Sequence, residues 1–372
     1  MAINVARAQR ILLMSSNADE AGAPRHVETI FNGLKDKFEF ILIFGEDGPV
    51  SKRLALAVFP VHVVPEMRTA ISPVKDIIAL NKIRGIINNT HPDLIHCHSA
   101  KAAMLGRVAG FLEDIPCVYT VHGWGWRGLG TIKSLLIFAI EYALSRLQNV
   151  RYIYVAKSVQ IDAMARLGHK NDQGTVIPNG VPQICATEPE DDSVLTIMMP
   201  ARVSSAKDHE SLIRGFEIFD SPNTNLILCG SGTDDLKFKE KVKLLAPNRH
   251  LQIVFLGQIS DMTRIYSKCH IVALISNFEA MPISLIEAMS CGKAIISSNV
   301  GGVSELITND LNGLLVEKGD AHAIAEAFKT CTNKLVRLRF GENAKALYRQ
   351  KFAQEIMLSA IEDVYTALKK NR

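Results

Sequence analysis

The run IVALISNFEAMPISLIEAMSCG, residues 271–292, passes from strand to loop to helix. Ile271–Ile275 is a continuous apolar run with the length and β-branched content of a strand buried on both faces. Pro282 sits where the first turn of a helix tolerates proline. Apolar residues continue at helical spacing to Ser290, and Gly292 is placed to cap the end. A buried strand that feeds straight into a helix is half of a βαβ unit.

The same alternation repeats outward in both directions. Before the run, Val194–Met199, Asn225–Cys229 and Gln252–Leu256 read as strands, and Glu210–Phe219, Asp235–Leu245 and Met262–Lys268 as helices. After it come strands at Ala294–Ser297 and Gly313–Val316 and helices at His322–Thr330 and Phe352–Leu368. The N-terminal half follows the same rule, with strands at Arg10–Met14, Glu39–Phe44, Val61–Val64, Leu94–His96, Pro116–Val121 and Tyr152–Val155. Helical patterns at His26–Leu34, Lys75–Asn88 and Ala102–Phe111 lie between them. Such alternation predicts α/β architecture with parallel sheets and right-handed crossovers. An acidic, proline-rich stretch at 178–193 lacks periodicity and reads as a linker. The expected organisation is therefore one domain over 1–185 and a second over 186–351. Ligands of such sheets bind at the carboxyl ends of the strands, so facing loops of two domains would line a central cleft.

Composition narrows the class. The 372 residues are 48% hydrophobic and 22% charged, ordinary for a globular chain able to bury two cores. Seven Cys with no C-x-x-C pair argue against a disulfide framework and for a reducing compartment. The N-terminus has no apolar signal region, and no apolar stretch reaches the about 18 residues of a membrane span. The nearest, 132–147, is interrupted by Lys133, Glu141 and Arg146. A cytoplasmic protein is expected. Net charge is +4, with +5 over residues 1–185 and −1 over the rest. This basic half can favour an anionic membrane surface or acceptor, or be ordinary scatter. No aromatic-basic patch or helix-turn-helix pattern points to nucleic acid.

Candidate site residues fall on strand-end loops. Backbone amides over residues 281–284, Met281, Pro282, Ile283 and Ser284, open the helix and are expected to suit an anion. Glu279 at the helix entry and Glu287 within the helix can accept hydroxyls of a sugar and a ribose, since ionised carboxylates only accept. They can equally be a helix-start acid and a solvated helix residue. Arg202 and Lys207 follow a strand directly and can neutralise a diphosphate without a metal, or be plain surface cations. Gly230 and Gly232 form a turn that permits close backbone approach to a nucleotide. In the first half, the loop 15–26 carries Gly22 and Arg25 but no G-x-G-x-x-G, which weakens a dehydrogenase reading. His96 and His98 share a strand face, yet with no third ligand in spacing no metal site is expected. His122 precedes a Gly-Trp-Gly-Trp turn and can reach a cleft floor.

Taken in order, these motifs resemble the GT4 family of glycosyltransferases with the GT-B fold. The E-x7-E element is Glu279 and Glu287, and the basic pair is Arg202 and Lys207. Thr120-Val-His122-Gly-Trp124, Val176-Ile-Pro-Asn179-Gly180-Val181 and Gly301-Gly-Val-Ser-Glu305-Leu306 also fit. The segment His98-Ser99-Ala-Lys101 through Gly106-Arg107 resembles the acceptor side of bacterial polysaccharide members. The resemblance implies two Rossmann-like doubly wound domains, with the terminal helix 352–372 crossing back to the first. It implies that Glu279 holds donor-sugar hydroxyls, Glu287 the ribose, and Arg202 and Lys207 the diphosphate, with His122 at the reacting centre. Gly22, Arg25, His98, Ser99 and Lys101 would lie on the acceptor side. It further implies transfer with retention and no metal cofactor, from a nucleoside-diphosphate sugar, with UDP the expected nucleotide, to a glycan or lipid-linked glycan. Ala280 and Met281 stand where the family often has glycine first, and Ala21-Gly22 where a Gly-Gly pair is usual. Two rivals stay open: a UDP-sugar epimerase on the same architecture, and a binding protein without turnover. The apolar helix 131–147 is expected to be buried against its sheet, a membrane-facing role being the alternative.

Overall fold

Nearly every apolar run of the sequence becomes a strand of one of two parallel sheets. The computed structural model describes residues 7–57, 60–68, 72–126, 131–187, 189, 193–259 and 261–370. The chain divides into two units, Met1–Pro178 with Glu355–Arg372, and Asn179–Gln354.

The first unit alternates β1 (Arg10–Ser15), α1 (Gly22–Leu34), β2 (Glu39–Phe44), α2 (Pro49–Ala55), β3 (Val61–Val63), α3 (Pro73–Thr90) and β4 (Leu94–Cys97). It continues with α4 (Ala100–Leu112), β5 (Cys117–Val121), α5 (Thr131–Leu144), β6 (Val150–Tyr154), α6 (Lys157–Leu167) and β7 (Gly174–Val176). Its sheet order is β3-β2-β1-β4-β5-β6-β7. The second unit runs β8 (Leu195–Pro200), α7 (His209–Phe219), β9 (Thr224–Cys229), α8 (Leu236–Leu245), β10 (Ile253–Gly257), α9 (Met262–Tyr266) and β11 (Ile271–Leu274). Then come α10 (Ile283–Ser290), β12 (Ala294–Ser298), α11 (Val303–Leu306), β13 (Leu314–Val316), α12 (Ala321–Thr330) and α13 (Lys334–Lys351). Its order is β10-β9-β8-β11-β12-β13. Every strand pair is parallel, and in both sheets the winding reverses beside the first strand, between β1 and β4 and between β8 and β11.

The last helix, α14 (Gln354–Lys370), completes the first unit rather than the second. Its Met357, Leu358, Ile361 and Tyr365 join Ile11, Val27, Phe31, Phe40 and Val118 in one core. A Cβ on Gly33 would lie 2.3 Å from a Leu358 methyl, so α1 and α14 pack as closely as the absent side chain allows. The division falls at Pro178, ahead of the 185/186 boundary expected from composition. Val181 explains why: its N–H donates to Phe352 O at 3.1 Å, and Gln354 N–H donates to Val181 O at 3.0 Å. These bonds fix the apparent linker to the second unit.

One expectation fails. The apolar helix is α5, and it is not buried all round: Ile132, Leu135, Leu136 and Tyr142 are exposed. Burial is confined to the face bearing Glu141, held by the Arg107 guanidinium of α4 at 2.7 and 2.8 Å. A polar residue thus sits inside and leucines outside, the reverse of the amphipathic rule.

Candidate active site

In the second unit the strand ends beside the winding reversal carry the chemistry. The loops after β8 and β11 are laced together: Asp208 N–H donates to Ile275 O at 2.9 Å, and Asn277 N–H to Ala206 O at 2.8 Å. Asp208 then caps α7 through Ser211 N–H. This lacing sets Lys207 against Glu279, whose side chains form a largely buried ion pair. Ser276 Oγ donates to the same oxygen, Glu279 Oε1, at 2.6 Å. Both donors fall on Oε1, which leaves Oε2 as the carboxylate oxygen able to take a further hydroxyl.

Glycines make room for this arrangement. Gly230 and Gly232 have φ of +137° and +85°. A Cβ on Gly230 would stand 2.5 Å from the Ala201 carbonyl, so only glycine lets this turn lie against the backbone leading to Arg202. Val203 N–H donates to Ser231 O at 2.9 Å and pins the two loops. Arg202 itself projects from that loop, exposed. Behind Glu279 lies Gly301, with φ +54°; a Cβ there would be 1.8 Å from Glu279 O.

Pro282 is the N-cap of α10, one position before the helical turn expected to contain it. It has no N–H, so the amides available at this helix entry belong to Met281, Ile283 and Ser284. Asn179 Nδ2 donates to Met281 O at 2.8 Å and fixes the peptide. Further along α10, Glu287 is buried, and its Oε2 lies 3.0 Å from the Tyr266 hydroxyl. Tyr266 OH also lies 3.1 Å from Ser284 O, where it has a second acceptor. Sequence reading missed Ser276 and Tyr266. Ser276 stands three residues before Glu279 with nothing in the spacing to mark it as a partner, and Tyr266 reaches Glu287 only through the fold.

In the first unit the matching strand ends hold histidines. His98 follows β4 and His122 follows β5, and His26 of α1 meets both. His26 Nδ1 is 3.3 Å from His98 Nδ1, and His122 Nε2 is 3.5 Å from that same atom. Burial holds His122 down to about 4. It keeps His26 and His98 well below the usual imidazole range, with neighbouring rings adding to the effect. All three rings are therefore neutral at neutral pH. His96 is not the partner of His98 that strand spacing suggested. Its Nδ1 is bonded to Tyr365 OH at 2.6 Å and its Nε2 to Thr120 Oγ1 at 2.7 Å, so no lone pair is left for a metal.

The acceptor-side candidates have structural partners. Ser99 caps α4, and its Oγ accepts from Ser16 N–H at 2.9 Å. Lys101 is buried and ion-paired with Asp76 of α3, so its charge is already compensated. Gly22 opens α1 exposed, with Arg25 half-buried one turn on. Six of the seven cysteines are buried and Cys185 is exposed. No helix among the described residues is long and apolar enough to cross a membrane.

Two family models divide the chain between them. Residues 21–183 match Glycosyltransferase Family 4 and residues 183–347 match Glycosyl transferases group 1. The chain is 30% identical over 306 residues to the O-antigen biosynthesis glycosyltransferase WbnH of Escherichia coli, covering 81% of this chain and 84% of that one. It is 26% identical over 364 residues to an E. coli UDP-Gal:alpha-D-GlcNAc-diphosphoundecaprenol alpha-1,3-galactosyltransferase, covering 91% of each. The fold matches that of Anabaena HepE, solved in complex with UDP-glucose, with TM-score 0.83, 22% identity and coverage of 96% of this chain and 99% of that one. These similarities agree with the doubly wound sheets and with the order of the strand-end motifs. The chain belongs to the GT4 family of glycosyltransferases and has the GT-B fold.

Proposed function

We propose that this enzyme transfers a sugar from a nucleoside diphosphate, UDP by preference, to a hydroxyl of a glycan or lipid-linked glycan in bacterial cell-surface polysaccharide synthesis, with retention of anomeric configuration. The observation that carries this reading is the Lys207–Glu279–Ser276 constellation at the winding reversal of the second sheet. A carboxylate beside a diphosphate would repel it; the Lys207 ammonium against Glu279 removes that penalty and remains within reach of a phosphate oxygen. Glu279 Oε2 then accepts hydroxyls of the transferred sugar, and Glu287, held by Tyr266, those of the ribose. Negative charge grows on the leaving diphosphate as the glycosidic bond stretches. Arg202, Lys207 and the amides of Met281, Ile283 and Ser284 supply field stabilisation there, so the reaction needs no metal. His122, neutral through burial, contacts the sugar as a hydrogen-bonding group.

The acceptor reading draws support from the relatives, one of whose names specifies a diphosphoundecaprenol-linked acceptor. It also fits the first unit's surface. Ile132, Leu135 and Leu136 of α5 lie exposed, as do Val74 and Ile77 of α3, and α4 packs against both of these helices. Exposed Lys75 and Lys133 flank these apolar residues. An anionic membrane at the cytoplasmic face is the surface such a patch fits.

A thermal-shift screen over UDP-, GDP- and ADP-sugars, followed by mass spectrometry of lipid-linked glycan acceptors with the stabilising donor, tests the function. A glycosylated acceptor with UDP release is expected. Conversion of donor to another UDP-sugar without acceptor would establish an epimerase instead, and a thermal shift without turnover a binding protein.

A further inference from the structure

The three imidazoles of the first unit pose a hydrogen-bonding problem that the proposed transfer chemistry leaves unsolved. His26 Nε2 lies 3.0 Å from Met357 Sδ. A thioether sulfur can only accept, so this contact is favourable when Nε2 carries the proton. The lone pair of His26 is then on Nδ1, pointing at His98 Nδ1. That atom has two ring nitrogens around it, His26 Nδ1 at 3.3 Å and His122 Nε2 at 3.5 Å. One proton on His98 Nδ1 cannot serve both well. His98 Nε2, on the far side of the ring, is buried with no hydrogen-bond partner in either tautomer. Burial leaves little water to resolve the mismatch.

A cation resolves the crowding at His98 Nδ1 by taking one lone pair from each ring, and leaves the proton of His98 on Nε2. Four-coordinate zinc with bonds of about 2.05 Å to imidazole nitrogen has a ligand-to-ligand edge of about 3.3 Å. Both measured nitrogen separations match that edge, and the three ligand atoms lie within 4.8 Å of one another. The three residues come from separate elements, α1 and the loops after β4 and β5, each anchored in the core, so the spacing belongs to the fold rather than to one flexible loop. Met357 on the outer nitrogen of His26 acts as the second-layer partner that fixes a ligating tautomer. Two of the rings are buried and His122 is half-buried, so any approach to the three nitrogens is from the side of His122.

We propose that His26, His98 and His122 form a binding site for a borderline divalent transition-metal cation of the zinc type, tetrahedral with three imidazole ligands and an open fourth position. Occupancy ties up His122 Nε2. If His122 contacts the sugar as proposed above, the cation is an inhibitor rather than a cofactor; the binding itself does not depend on that reading.

The test uses the full chain, stripped with chelator and titrated with Zn2+ against a chromophoric competitor. One Zn2+ per chain is expected at micromolar concentration or below. His26→Ala and His98→Ala should each weaken it by about 100-fold or more, while Cys185→Ser, which removes the exposed thiol, leaves it unchanged. Since either histidine variant can fail to fold, Co2+ is added to the unmodified protein in parallel. The intense visible bands of four-coordinate cobalt are expected. Only the faint bands of octahedral cobalt, no stoichiometric Zn2+, or Zn2+ binding untouched in folded His26→Ala would each overturn the site. None of these readouts needs turnover, so failure of the metal site and failure of the glycosyl-transfer reading are distinguishable.

Discussion

Glu141→Ala should be among the most damaging single changes outside the second unit's site. Arg107 is completely buried and Glu141 nearly so. The guanidinium donates from Nη2 to both carboxylate oxygens, at 2.8 and 2.7 Å, and from Nε to Ala103 O at 2.9 Å. It also stacks 4.9 Å over the Tyr119 ring. Removing the carboxylate strands a cation that can neither reach water nor lose its proton. Breaking one side of a buried pair costs about 3–5 kcal/mol. For a unit of this size each kcal/mol moves the melting temperature by about 2–4 °C. The melting transition of the first unit should therefore fall by roughly 10 °C in calorimetry. Replacing both partners, Arg107→Met with Glu141→Leu, should recover much of the loss, because the stranded charge is gone. A drop of less than about 2 °C in Glu141→Ala, or a double variant as unstable as the single, would show that no stranded charge controls the loss.

Further outcomes follow from other contacts. Tyr266→Phe removes the hydroxyl 3.0 Å from Glu287 and should raise the donor KM about 10-fold with kcat nearly unchanged; a kcat loss at constant KM would contradict the positioning role. Gly301→Ala forces a methyl to 1.8 Å from Glu279 O at φ +54° and should cost on the order of 3 kcal/mol, read by chemical denaturation, together with activity. Burial, helped by Arg107 and Arg146, holds His169 down to about 4. The unfolded chain takes up that proton near pH 6.5, so this contribution to stability is complete above 6.5 and is lost as pH falls toward 4. The slope is at most about 1.4 kcal/mol per pH unit. Denaturation midpoints at pH 7 and pH 5 should lie closer together in His169→Gln than in the parent.

The residues that sequence reading found are those whose chemistry is local. Buried parallel strands announce themselves as unbroken apolar runs, and Lys207 and Glu279 stand at strand ends where loops converge. What it missed depends on long-range folding. Met357 and Tyr365 reach His26 and His96 only because the last helix returns to the first sheet. The strand β7 is three residues, Gly-Thr-Val, too short for a periodic signal. The helix α13, Lys334–Lys351, is crowded with charge, yet Arg337 and Gly341 face inward, and a Cβ on Gly341 would lie 1.9 Å from Gly292 O. The exposed leucines of α5 escaped because hydrophobicity alone does not say which side an apolar helix buries. That was settled by Glu141 seeking Arg107.

In the proposed complex the second unit holds a diphosphate between Arg202, Lys207 and the amides around Pro282, with Glu279 and Glu287 fixing sugar and ribose. Titration calorimetry of UDP and of the UDP-sugar into the parent chain, Arg202→Ala and Glu279→Gln decides it. Arg202→Ala should weaken UDP by about 10-fold or more, while Glu279→Gln leaves UDP nearly unchanged and weakens the UDP-sugar. Equal UDP affinity in the parent and Arg202→Ala, or no UDP binding to the parent at all, would contradict this arrangement.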